Sequence, residues 1–128
     1  QQQLLAASIL QQVSASDKIK AMNTVSRQQL DQELQKALFF ALNYDGNVNV
    51  RLKAAQALGS VMDDPAVRQK MIASLAQQDQ PEIQILLIDL LASFQEKNAI
   101  PVLEQIIQNE HVLEVVKDKA AQGMAILL

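Results

Sequence analysis

A chain of 128 residues is long enough to bury a sizeable core, and its net charge of −3 and pI near 5.0 leave no basic excess for gripping phosphates. It has no cysteine, which excludes disulfides and thiol metal sites. Three glycines, three prolines and 3% aromatic residues do not suit a hairpin-rich β fold, whereas abundant Ala, Leu, Gln, Lys and Glu point to an all-α protein with an aliphatic core.

The helices are expected in the following order. Gln1 to Val13 forms a first helix, with Leu4, Leu5, Ile9 and Leu10 on one side. Ser14 or Ser16 caps a second that runs to about Val25. Ser26 and Gln29 have capping-box spacing and open a third, about Arg27 to Asn43. Tyr44-Asp45-Gly46-Asn47 is a stop, and Asn47 caps a fourth helix from Val48 to about Met62. Asp64-Pro65 opens a fifth, to about Gln77, and Pro81 a sixth, to about Phe94. Asn98 caps a seventh, to about Gln108, and the eighth spans Val112 to Leu128. The longest apolar run, Ile83 to Leu91, is interrupted by Gln84 and Asp89 and is far short of the roughly 20 residues of a membrane span.

A constant step of 33 residues superimposes these elements. Val50 lands on Ile83 and Val116, Ala54 on Leu87 and Ala120, Leu58 on Leu91 and Met124. Leu34, Leu38, Phe39 and Leu42 land on Val67, Met71, Ile72 and Leu75. In the seventh helix a step of 32 fits better, so one residue is inserted in the Asn109–His111 turn. One apolar helix pair per fixed period is the pattern of an α-solenoid. The expected architecture is a right-handed α-α superhelix of about eight helices in four antiparallel pairs. It forms one domain, with a degenerate first repeat over 1–25 and better repeats over 26–62, 65–94 and 98–128.

The second helix of each pair carries Val-Arg-x-x-Ala-x-x-Ala-Leu in its best copy, Val50, Arg51, Ala54, Ala57 and Leu58, which resembles HEAT repeats. Ile83, Leu87, Leu90 and Leu91 fit with Gln84 in place of Arg, and Val116, Lys117, Ala120, Gly123 and Met124 fit with Lys. The stretches from NYDGNVNVRLKAAQAL to ASFQEKNAIPVLEQI are also similar to the C-terminal HEAT region of predicted bacterial membrane-anchored zinc-finger anti-sigma factors. That resemblance implies a fragment on the periplasmic side of a membrane-anchored parent, with zinc and sigma-factor binding in an upstream part. The chain opens on Gln1 rather than Met, which fits a piece of a longer protein. A free-standing cytosolic HEAT-like scaffold is the alternative, and a HEAT-like nucleic-acid or lyase-associated protein a third.

Residues four and then three apart return to one side of a helix. On the second helices this column holds Lys20; Asn49, Lys53 and Gln56; Glu82, Leu86 and Asp89; then Lys119 and Gln122. In HEAT-like solenoids the second helices line the concave surface, so these residues are the candidate face for a protein or peptide partner. A solvated helix face is the alternative reading of the same column. Arg51, with Lys18, Gln84 and Lys117 in register, is placed to form a ladder with Asp45 or Asp79 that ties repeats together. Phe39, Phe40 and Tyr44 cluster at one helix end, with Phe40 or Tyr44 the ones to be exposed. His111 is the single histidine, and Asp63-Asp64 reads as helix capping. No phosphate loop, nucleophile elbow or metal cluster is present in the sequence, so no enzyme activity, metal or cofactor is expected. No nucleic-acid partner and no membrane insertion by this chain are expected either. Weak self-association through Leu86 or the apolar end Ala125–Leu128 is expected.

Overall fold

The computed structural model describes residues 14–25 and 30–128. Among them are seven α-helices: α1 (Ala15–Asn23), α2 (Gln32–Tyr44), α3 (Val48–Leu58), α4 (Pro65–Gln77), α5 (Pro81–Ser93), α6 (Ile100–Gln108) and α7 (Glu114–Leu127). Short 3₁₀ turns follow α3 and precede α6, over Gly59–Val61 and Lys97–Ala99. No strand occurs among the described residues, as an all-α composition requires. The expected first helix, Gln1 to Val13, and the Ser26–Gln29 capping box lie outside the described residues. The chain divides into two compact units, Gln1–Val61 and Met62–Leu128.

In the first unit α2 packs on α3, and α1 packs on α3. Ser14, not Ser16, caps α1: its hydroxyl accepts from Asp17 N–H at 3.0 Å. The expected start of α2 at Arg27 is corrected to Gln32. Leu30 and Asp31 are not helical, and the Asp31 carboxylate accepts from Leu34 N–H at 3.0 Å, which fixes the helix start there. Asn47 caps α3 as expected, with Oδ1 accepting from Asn49 and Val50 N–H. The α-helical part of α3 ends at Leu58 rather than Met62. Gly59 tightens the chain into a 3₁₀ turn, and Ser60 donates its hydroxyl to Ala57 O at 2.8 Å. The core is Met22, Leu34, Leu38 and Leu42 with Val50, Ala54 and Leu58, each at most 2% exposed.

In the second unit first helices stack on first, α4 on α6, and second helices on second, α5 on α7. Within pairs α4 packs on α5 and α6 on α7. Asp64 caps α4 through Ala66 N–H at 2.9 Å, with Pro65 in the first turn, as expected. Two starts are corrected. The cap before α6 is Glu96, which accepts from Asn98 N–H at 3.1 Å, not Asn98 itself, so a 3₁₀ turn leads into the helix. The last helix begins at Glu114 rather than Val112, because Asn109 Oδ1 accepts His111 N–H and holds the inserted residue in an Asx turn. The α5 end is unusual. Gln95 has φ 56°, and Glu96 N–H reaches back to Leu91 O at 3.0 Å, so a non-glycine residue makes the left-handed turn. Ile83, Leu87, Leu91, Leu103, Val116 and Ala120 form the core, each at most 1% exposed. Gly123 lets α7 lie close: a Cβ there would meet Ile88 Cγ2 at 3.1 Å and Leu103 Cδ1 at 3.4 Å.

Candidate functional site

Every member of the expected second-helix column that lies in the first unit is open to solvent. Lys20 on α1 and Asn49 and Gln56 on α3 are exposed, and Lys53 is half-buried. They stand on two helices packed against each other, while Val50, Ala54 and Leu58 point α3 the opposite way into the core. In the second unit Glu82, Asp89 and Gln122 are exposed, and Leu86 and Lys119 are half-buried. Here the column closes on itself: Lys119 Nζ lies 3.1 Å from Asp89 Oδ1. That pair joins α7 to α5 through one column residue from each helix. Both side chains keep solvent contact, so the pair contributes no more than about 1 kcal/mol. Leu86 is the apolar member of an otherwise polar and charged column.

The residues expected to form a ladder do so in part. Lys18 Nζ donates to Asp45 Oδ2, tying α1 to the turn between α2 and α3, while Asp45 Oδ1 accepts Asn47 N–H. Arg51 Nε donates to Leu42 O at 3.2 Å and Gln84 Nε2 to Gln78 O at 3.1 Å. Arg51 and Gln84 thus each reach the end of the preceding helix, whereas Lys18 reaches the turn after the following one. Lys117 instead lies 4.0 Å from Glu114 on its own helix. Only the Lys18–Asp45 contact ties one repeat to the next as expected; those of Arg51 and Gln84 join the two helices of a single pair.

A polar cluster not anticipated from the sequence sits in the second unit. Arg68 on α4 donates Nε to Glu96 Oε1 at 2.9 Å and Nη1 to Met62 O and Asp63 O. Gln69 Nε2 also donates to Glu96 Oε1, and Glu96 Oε2 takes Asn98 N–H. Glu96 is 7% exposed. The hydrogen bond from Arg68 holds its carboxyl below the usual value of 4.5, outweighing burial, which pushes it up. One signal for this cluster was present in the register. Gln35, one repeat earlier than Arg68, donates Nε2 to Leu30 O, the counterpart of the Asp63 carbonyl.

Phe39 is buried, whereas Phe40 and Tyr44 are 55% and 66% exposed with ring centroids 5.1 Å apart. Their register equivalents on α4, Ala73 and Gln77, also face solvent, so the outward position is common and the aromatic pair is particular to α2. His111 is exposed. Among the described residues no helix is long and apolar enough to cross a membrane.

Residues 34–125 match the family model of HEAT repeats, more than half of the chain. No curated protein matches it. The matched span runs from the first buried leucine of α2 to the last turn of α7 and takes in three helix pairs, and HEAT repeats generally mediate protein interaction. With its helix pairs, its 33-residue register and this match, the chain belongs to the HEAT-repeat family and has the fold class of an α-solenoid.

Proposed function

We infer that this chain is a non-enzymatic protein-interaction module that holds a protein or peptide on the exposed faces of its second helices. The observation that carries this reading is the column itself. Lys20, Asn49, Lys53, Gln56, Glu82, Leu86, Asp89, Lys119 and Gln122 recur in one register and all keep solvent access. Val50, Ala54, Ile83, Leu87 and Ala120, each one residue on from a column member, are fully buried. Mixed charges with one half-buried Leu suit a partner of mixed polarity rather than a polyanion. In the finer form of this reading the module is the periplasmic part of a membrane-anchored anti-sigma regulator, and the sigma factor binds elsewhere on the parent. The similarity of the NYDGNVNVRLKAAQAL and DDPAVRQKMIASLAQQDQ stretches to such proteins supports it.

Two measurements test the two levels. The parent gene upstream of Gln1 should encode a Cys/His zinc motif and then about 20 consecutive apolar residues. A parent with neither would overturn the anti-sigma reading and leave a free-standing scaffold. Capture by the full-length parent should then be compared with that of a Lys53→Glu, Gln56→Ala, Asp89→Lys variant. Loss of the extracytoplasmic partner with helix content unchanged is expected; undiminished capture would remove the column from the interface.

A further inference from the structure

The second unit contains a cleft at the edge formed by the α4–α5 turn and the α6–α7 turn. It has an inner cavity of about 140 Å³ and an outer one of about 410 Å³, and Gln78, Gln84, Asn109 and Val112 line both. The inner wall is completed by Leu75, Val102 and Ile106. The inner space has room for one small aliphatic side chain, opens to solvent on one side and is lined by polar and apolar groups alike, and the outer volume lies in the range of ligand pockets.

The polar groups are specific to this repeat. Gln84 is 7% exposed and uses Nε2 on Gln78 O, while its Oε1 has no donor among the described residues. In register with it stand Arg51 and Lys117, cations that can only donate; the exchange to Gln places an acceptor at the cleft. Asn109 spends Oδ1 on His111 N–H at 2.9 Å, which leaves its Nδ2 to donate. An acceptor and a donor lining one cleft with an apolar floor complement a peptide group, which offers one N–H and one C=O beside a side chain.

We propose that this cleft binds an extended peptide segment of a protein partner. One aliphatic side chain fills the inner cavity, and the adjoining peptide group bonds Gln84 Oε1 and Asn109 Nδ2. The proposal rests on the protein-interaction reading and adds a site whose residues are separate from the second-helix column.

The test is titration of the 128-residue chain with N-acetyl-leucine amide, followed by NMR of side-chain amides and methyls. Saturable shifts at Gln84, Asn109 and Val112 are expected, with a dissociation constant on the order of millimolar, while Lys119 and Gln122 stay unmoved. N-acetyl-glycine amide, which lacks the side chain, should bind at least about tenfold more weakly. Val112→Trp, which fills the cleft, should abolish saturation. Gln105→Trp, at an exposed position that also lines the inner cavity, does the same without touching the core. No saturable shift, equal binding of the glycine amide, or an unchanged titration in the folded Trp variants would overturn the proposal. A silent titration alongside column variants that lose their partner refutes the cleft and leaves the module reading intact. A saturable titration alongside a column that binds nothing supports the cleft and removes the column instead.

Discussion

Replacing Glu96 by Ala removes the acceptor at the centre of the α4–α6 link. The carboxylate takes three hydrogen bonds, from Arg68 Nε, Gln69 Nε2 and Asn98 N–H, and its side chain is 8% exposed against 18% for Arg68. Breaking a buried charge pair on one side costs about 3–5 kcal/mol, because the remaining charge stays desolvated. Arg68 keeps two backbone acceptors, Met62 O and Asp63 O, and some water, so the expected loss is smaller, about 2–3 kcal/mol. For a chain of this length that lowers the melting temperature by roughly 10 °C. Urea unfolding followed by circular dichroism at neutral pH measures it. Glu96→Gln keeps the shape and removes the charge, and it isolates the pH dependence. The folded carboxyl titrates below 4.5, so near that pH the unfolded chain binds more protons and stability rises with pH. The wild-type advantage over Glu96→Gln should be complete above about pH 5 and should shrink as the pH falls from 4.5 through the depressed folded value. A loss under about 0.5 kcal/mol for Glu96→Ala, or an advantage over Gln that does not change with pH, would refute the account of Glu96 as a buried, charge-dependent tie.

Gly123→Val should destabilise by about 1–3 kcal/mol in the same urea assay, since even a Cβ would meet Ile88 at 3.1 Å and two further methyls have nowhere to go. Gln95→Gly should raise stability by roughly 0.5–1 kcal/mol, because φ 56° costs an L side chain what glycine adopts freely; a neutral or negative outcome in the melting temperature would contradict this. Asp64→Ala should cost about 1 kcal/mol through the lost cap on Ala66 N–H, read by thermal melting. Asp89→Lys should cost no more than about 1 kcal/mol, and adding Lys119→Asp should recover it, with both effects diminished in 0.5 M salt.

The helix pairs and most of their faces could be read from the amino acids alone. Spacing puts Leu34, Leu38 and Leu42 on one side of α2, and Val50, Ala54 and Leu58 on one side of α3; all six are fully buried. Proline placed α4 and α5 to the residue, because a ring that lacks an N–H fits only the first turn. Where several short polar residues compete for a cap, local reading fails. Asp31 and Glu96 hold the chain at α2 and before α6, and the choice depends on which residue the rest of the fold leaves in extended geometry. The column of exposed second-helix residues was legible for the same reason as the core, since it is the core's complement in a period of 3.6. What only the tertiary structure decided are meetings across the chain. Arg68 meets Glu96 28 positions away through the left-handed turn at Gln95, a turn that neither Gly nor Asn announces. Asp89 meets Lys119 because Gly123 lets α7 approach α5, and the Gln84 cleft exists because two turns converge on one amide. Periodicity encodes which side of a helix is dry; which side chains then touch is settled by how neighbouring helices are stacked, and no local spacing carries that.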